Sequence, residues 1–504
     1  MRALVRNSRL FFVLLTTAGL ALRLFFVLKF ANWDGDPLFY GDLAKNWLQH
    51  GILGTTHAGG IQPCLIRLPG YPAFLAAIWA VTGVEHYRAV LLVHVLVDIV
   101  GCFVTADLVW RTLGSERTAK FAFALAALCP FTANYTACAL TETLAIFLTV
   151  GALDLAVLAL ESEKASHWAA CGGVVGGSIL LRPDGGILLP VIGTYGILRC
   201  LFSASSNRPV KLQVDRWSRS VLRVAVFSAV ALSPLVPWTL RNWRDFHTFQ
   251  PLVPRYANDP GQFVPAGFQR WVKSWIVDYA SVAEIYWRLG EDKIDLTKAP
   301  ARAFDSPQER LAVSGLFAQY NARRNHDWTP ELDTALNRIA SARIARHPCR
   351  YYLLLPGARI VDMWFRPRTE MLGIDDRWWE LADAHDSTIA IALGGLNLLY
   401  VAAAAAGTVW LVGRAFPAAK RRAGLRHWEL WLALLLARSL FLGSLENPEP
   451  RYTLECYPVV IALAAIALSA IPLSRRNKTE AASVEPGRFS ALPHRNTCPS
   501  GKPV

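Results

Sequence analysis

Charge is what this chain has little of. Asp, Glu, Lys and Arg make up 18% of its 504 residues, where a soluble protein carries roughly 25%. Hydrophobic residues reach 53% and the mean hydropathy is +0.28, so an ordinary soluble domain is excluded. The nine cysteines form no CxxC pair and no Cys/His metal spacing, which argues against a zinc ribbon or a dithiol redox centre. Cys102, Cys171 and Cys200 fall in apolar runs and read as packing residues. Cys64 and Cys349 both lie in segments expected outside the membrane, and they are the pair that a disulfide in an oxidising compartment would use. A Gly-rich nucleotide loop is absent as well.

What is present is a series of apolar runs of about 20 residues, the length that crosses a bilayer as a helix. They predict an all-α polytopic membrane protein. We expect about ten spans, near 10–30, 88–111, 118–133, 142–160, 166–181, 186–202, 219–240, 387–413, 428–445 and 454–473. The first run follows Arg2, Arg6 and Arg9 like a signal peptide. It contains Arg23 and Lys29 and continues past any small-residue cleavage site, so it reads as a retained anchor. Arg23, in its outer half, is placed to snorkel. The expected organisation is a membrane module over 1–240, an external region over 241–386, closing spans over 387–473 and a disordered tail over 474–504.

The +14 net charge suits nucleic acid only at first sight. The basic residues lie mostly at span ends, so topology explains them better. With the N-terminus inside, Arg111, Arg117, Lys120, Lys164, Arg208, Lys211, Arg216, Arg219, Arg414 and the run Lys420 to Arg422 fall on inner loops. Arg475, Arg476 and Lys478 add to the inner side. Both termini are therefore expected inside, in a bacterial inner membrane, since the tail carries no eukaryotic retrieval signal.

This topology sorts the interesting polar residues onto the outer side. The first external segment, 31–87, holds Asp34, Asp36 and Asp42 among Trp33, Tyr40 and Trp47, and continues through Arg67 to an amphipathic piece over 70–83. That piece is too short to span comfortably and suits the interface. Outside too lie Glu142, Arg182-Pro-Asp184, Arg241-Asn242 and the stiff Glu446-Asn-Pro-Glu-Pro-Arg451-Tyr452 turn. The bland readings are a capped loop helix at Asp36 and Pro37, an acid at a helix N-terminus for Glu142, and an interfacial anchor for Arg241. His94 and Asp98, one turn apart in the second span, read as a buried pair or a helix–helix contact.

Carboxylates beside arginines at a lipid–water boundary suit sugar transfer from a polyprenyl phosphate. Guanidinium forks hold phosphate well, and a carboxylate within hydrogen-bond reach takes the acceptor hydroxyl proton. Cations stabilise the leaving phosphate. The rival expectation, a transporter or flippase of lipid-linked sugars, predicts internal repeats and midplane charges. No convincing repeat is visible, and the polar groups gather outside.

The pattern Asp36-x-x-x-Tyr40-x-x-x-Ala44, followed by Arg67-x-Pro-Gly-Tyr-Pro72, resembles the first external loop of membrane glycosyltransferases of the C-type fold. These include the protein O-mannosyltransferases, the lipid A aminoarabinose transferase and the rhizobial lipopolysaccharide sugar transferases. Leu140-Thr-Glu142, Pro237-Trp-x-x-Arg241-Asn242 and Arg451-Tyr452 are similar in the same order. The resemblance implies a polyprenyl-phosphate-sugar donor, a lipid, glycan or protein acceptor, and a catalytic carboxylate at Asp36, with Asp34 as its competitor. Glu142 is implied as a second acid, with Tyr40, Arg67, Arg182, Arg241, Glu446, Arg451 and Tyr452 on the substrates. A divalent metal, bound by some relatives, stays open, for no diagnostic ligand set is visible. In the external region, Gly267-Phe-Gln-Arg-Trp271 and Trp275 read either as an acceptor or lid surface or as interfacial anchors.

Overall fold

Apolar runs become helices here because each unpaired backbone group costs several kcal/mol in hydrocarbon. The computed structural model describes residues 2–202, 210–415 and 425–471. The tail expected over 474–504 and the basic residues Arg208, Lys420, Arg421, Arg422, Arg475, Arg476 and Lys478 lie outside the described residues. Within them the protein is helical apart from one two-stranded hairpin.

Five helices are long and apolar enough to cross a membrane. They are α1 (Arg9–Lys29), α4 (Tyr87–Leu113), α7 (Glu142–Ser162), α16 (Ala384–Ala415) and the closing stretch Pro450–Ala470, which ends in α18 (Tyr457–Ala470). A sixth appears if α10 (Val210–Leu232) and α11 (Leu235–Phe246), bent by 41° at Ser233-Pro234, count as one broken span. The other expected spans fall on shorter helices. These are α5 (Glu116–Ala127) with α6 (Pro130–Tyr135), α8 (Ala165–Leu181), α9 (Leu188–Phe202) and α17 (Glu429–Gly443). Proline accounts for two of the breaks, since Pro130 and Pro183 each start a new helical piece. By length alone, five or six spans stand among the described residues; the expected ten include shorter helices that this length criterion does not count.

The segment 31–87 builds a small platform. Gly35, at φ 73°, turns the chain into α2 (Asp36–His50), and Gly51 closes that helix in the left-handed region. Strands β1 (Gly54–His57) and β2 (Gly60–Pro63) pair antiparallel. Asp42 accepts from the Thr56 amide at 2.6 Å and its hydroxyl at 2.7 Å, fastening the hairpin to α2. Next comes α3 (Gly70–Thr82), 13 residues long. Its first residue backs onto α8 so closely that a Cβ at Gly70 would lie 2.5 Å from the Leu180 carbonyl oxygen.

The region 241–386 builds a core of its own. Helices α12 (Ala266–Lys273), α13 (Pro307–Asn321) and α14 (Pro330–Arg346) bury Phe268, Trp271, Phe317, Tyr320 and Leu336, and Trp275 joins them from the following turn. Trp271 and Trp275 are 0% and 1% exposed. The reading of these tryptophans as a sugar platform or anchors is thus corrected: they fill a core. Helix α15 (Leu355–Phe365) then packs on α17.

Two further expectations change. Arg23 does not snorkel. It is buried and pairs with Asp98 at 2.7 Å, while Nη1 donates to the Gly19 and Ala127 carbonyls. Asp98 is therefore not a partner of His94, whose ring meets the Cys138 carbonyl at 3.1 Å. Cys64, buried, and Cys349, exposed, are both free thiols.

Candidate active site

Six separate pieces of chain deliver charged side chains to one place. Asp36 comes from the first turn of α2, Arg67 from the turn before α3 and Glu142 from the first turn of α7. Arg182 and Asp184 sit at the break between α8 and α9, and Arg438 lies within α17. Glu449, Arg451, Tyr452 and Glu455 belong to the turn that leads into α18. All but Arg438, which projects from within α17, come from a helix end, a turn or a break, where backbone irregularity lets side chains converge.

The contacts alternate in sign. Asp36 lies 3.3 Å from Arg67 and 3.9 Å from Arg451. Arg451 also reaches Glu142 at 3.8 Å and Glu449 at 2.5 Å. Arg182 meets Glu142 at 3.1 Å, Asp184 at 3.2 Å and Glu455 at 3.4 Å. Arg438 closes the far end on Asp184 at 2.8 Å and Glu455 at 2.7 Å. Isolated buried charges cost several kcal/mol each, and only such matched partners offset that.

Burial grades the cluster from floor to mouth. The side chains of Arg438 and Glu455 are 3% exposed and that of Glu142 4%. Asp36, at 43%, is the exposed carboxylate of the set. Although it opens a helix, its carboxylate caps nothing and turns to the two arginines. That decides against the capping reading. Glu142 keeps one buried oxygen, Oε2, with no hydrogen-bond partner. Buried polar groups are rarely left so, and a substrate hydroxyl would complete it.

The tyrosines line the arginines. Tyr452 donates to Glu449 at 2.5 Å, and its ring lies under both Arg182 and Arg451, at 5.0 and 5.5 Å. Tyr40 lies 5.8 Å beneath Arg67. From the external region, Arg368 grips the Glu449–Glu455 turn through the Pro450 carbonyl and the Thr453 hydroxyl, and Glu370 accepts from Tyr135 at 3.1 Å.

Electrostatics follow this geometry. Burial alone would raise the Asp184 carboxyl, yet Arg182 and Arg438 outweigh it and hold Asp184 well below the usual carboxylate range. Glu449 goes the other way, because its burial outweighs Arg451 and Tyr452 and pushes it up. Such opposed neighbours are common at functional sites.

Three of the expected site residues stand elsewhere. Arg241 donates to the Leu53 and Cys64 carbonyls at 2.7 and 2.8 Å and pairs with Asp245, tying α11 to the hairpin loop. Glu446 faces Arg255 and Lys273 of the external region. Asp34 is exposed and joins none of the cluster's ion pairs. Sequence reasoning grouped Asp184 and Glu449 with the outer polar residues without giving either a role, and it left Arg438 and Glu455 out. For these two the available signal was an ionisable residue inside an apolar run, which is costly and seldom idle.

Among the described residues no group of three or more His, Cys, Asp or Glu is arranged as metal ligands. The cation between Asp36 and Glu142 is Arg451.

Residues 63–238 match the family model of dolichyl-phosphate-mannose-protein mannosyltransferases. No curated protein matches the chain. Among solved structures it is similar to the archaeal oligosaccharyltransferase AglB from Archaeoglobus fulgidus, in complex with an inhibitory peptide and a dolichol-phosphate. The TM-score is 0.49 at 14% identity, over 91% of this chain and 50% of that one. ArnT from Cupriavidus metallidurans, in the apo state, gives a TM-score of 0.35 at 15% identity, over 91% and 76%. The chain spans about half the length of the oligosaccharyltransferase. The matched segment, less than half of the chain, runs from the end of the hairpin through Glu142 and Arg182 to Trp238.

Proposed function

We propose that this protein moves a sugar from a polyprenyl phosphate to an acceptor hydroxyl at the external face of a bacterial inner membrane. The observation that carries this reading is Asp36, an exposed carboxylate held between Arg67 and Arg451 at the mouth of an otherwise buried acid–arginine cluster. In this reading Asp36 accepts the proton of the acceptor hydroxyl as its oxygen attacks the anomeric carbon. The bond from that carbon to the phosphate oxygen breaks, and the electron pair leaves with the polyprenyl phosphate. Arg67 and Arg451, the cations in contact with Asp36, receive the phosphate charge, with Arg182 behind them.

Glu142 acts through position. It holds Arg182 and Arg451 and offers its free oxygen to a hydroxyl of the donor or the acceptor. The test is a panel of labelled polyprenyl-phosphate sugars supplied to membranes containing the protein. Label reaching a lipid, glycan or protein product, with release of polyprenyl phosphate, supports the reading. Donor crossing the bilayer without transfer replaces the transferase with a flippase.

A further inference from the structure

A second cavity lies in the external region, apart from the acid–arginine cluster. This cleft of about 880 Å³ lies between the segment 277–302 and α15. A volume of that order holds a small ligand of several rings. Its walls combine planar charged groups with an aromatic ring, and the groups are held in place by their neighbours. Arg366 lies 3.8 Å from Asp362, donates to the Asp376 carbonyl at 2.5 Å, and covers Trp379 at 5.4 Å and Tyr279 at 5.5 Å. Arg302 pairs with Asp278, and Arg377 with Glu284 and Glu380. The cations are thus matched by acids, so the cleft suits a polar ligand with little net charge rather than a bare anion.

Two features call for a ligand. Asp362 lines the cleft with Oδ2 buried and without a hydrogen-bond partner. Trp379 lines it too and stays 45% exposed, with the Arg366 guanidinium 5.4 Å from its ring. An unfilled acceptor beside an available indole matches a sugar ring, whose hydroxyls donate and whose C–H face packs on aromatic carbon.

The surroundings point to how such a sugar is presented. Helix α15 offers Leu355, Ala358 and Asp362 to the cleft while Val361 and Phe365, with Leu353 and Leu354 just before it, are exposed. The same helix is joined to α17 through Trp364, which donates to Ser439 at 3.0 Å, and the exposed Leu436 and Leu440 of α17 extend the apolar surface. In the membrane-protein reading, an apolar strip of this kind faces lipid. The cleft also has a link to the cluster. Burial first, then Glu449, Glu370 and Asp376, push the phenol of its neighbour Tyr279 up, against Arg451.

We infer that this cleft is the subsite for the acceptor, and that the acceptor is a glycan carried on a lipid rather than a protein segment. The inference rests on the transferase reading for the word acceptor, but the binding of a sugar does not. The test is saturation-transfer difference NMR on the full chain in nanodiscs. The probes are methyl β-glucoside, methyl β-galactoside, methyl α-mannoside and a Ser/Thr-rich heptapeptide. At least one glycoside should give signal, which Trp379→Leu and Asp362→Asn should each abolish and Asp36→Asn should leave intact. Trp379 is exposed enough for its variant to fold, which is checked by an unchanged melting temperature. No glycoside signal, a signal untouched by Trp379→Leu, or saturation of the peptide alone would overturn the assignment. Since no transfer is measured, this result stands apart from the fate of the transferase reading.

Discussion

The Asp36 carboxylate, at the start of α2, faces the Arg451 guanidinium of the turn before α18 at 3.9 Å. Opposite ends of the chain therefore meet at one carboxylate. The partners of Asp36 are partly exposed, and pairs of that kind contribute little to stability. Replacing Asp36 should leave the fold intact.

Asp34 provides the internal control. It sits two residues away, exposed and outside the ion-pair chain. Asp34→Asn should retain transfer within about threefold, while loss of a general base lowers it by about 10²–10⁴. Initial rates of labelled product formation in membranes, normalised to protein level, separate the two.

The floor of the cluster behaves differently. Arg438 is buried against Asp184 and Glu455, and removing one partner of a buried pair costs about 3–5 kcal/mol. Arg438→Gln should lower the melting temperature of the detergent-solubilised protein clearly. Arg438→Lys should recover only part of it, since an ammonium cannot fork between two carboxylates.

Acid sensitivity follows from Asp184. Its folded-state pKa lies below the ordinary value of 3.8, so its stabilising contribution is present above the unfolded pKa. That contribution is lost as pH falls toward the folded one. Melting temperature should decline from about pH 5 downward as this carboxylate begins to protonate in the unfolded chain. Asp184→Asn should be less stable at neutral pH and show a flatter acid limb. An unchanged slope below pH 5 contradicts the assignment.

Trp271 tests whether the external tryptophans bind or pack. It is fully buried among Phe268, Trp275 and Phe317. Trp271→Ala should cost about 3–5 kcal/mol and appear as lost thermal stability. The donor KM of the protein that remains folded should not move.

Much of this architecture was legible from apolar runs and their punctuation. The first span, Glu142 opening a helix and the break at Arg182-Pro183 stand where hydropathy and proline place them. Expecting positive charge at inner span ends grouped Asp36, Glu142, Arg182 and Arg451 on one face before any coordinates, and ion pairs join those four in the structure. What stayed hidden were partners. Arg438 and Glu455 lie inside apolar runs and show their purpose only through contact with Asp184. Arg241 looked like an anchor or a phosphate ligand because its reach to two loop carbonyls is a matter of three-dimensional path. Trp271 and Trp275 carry the same composition signal whether they line a core or a platform. Several expected spans fall on shorter or bent helices, because an apolar run reveals its hydropathy but not the kink or the early stop within it.

The most direct test of the account is transfer by Asp36→Asn in membranes with a saturating, labelled polyprenyl-phosphate sugar. Donor binding is measured on the same preparation. The account predicts that donor binding persists, the melting temperature is unchanged, and product formation falls by about 10²–10⁴. Transfer at the wild-type rate in that variant would remove Asp36 as the base and contradict the account.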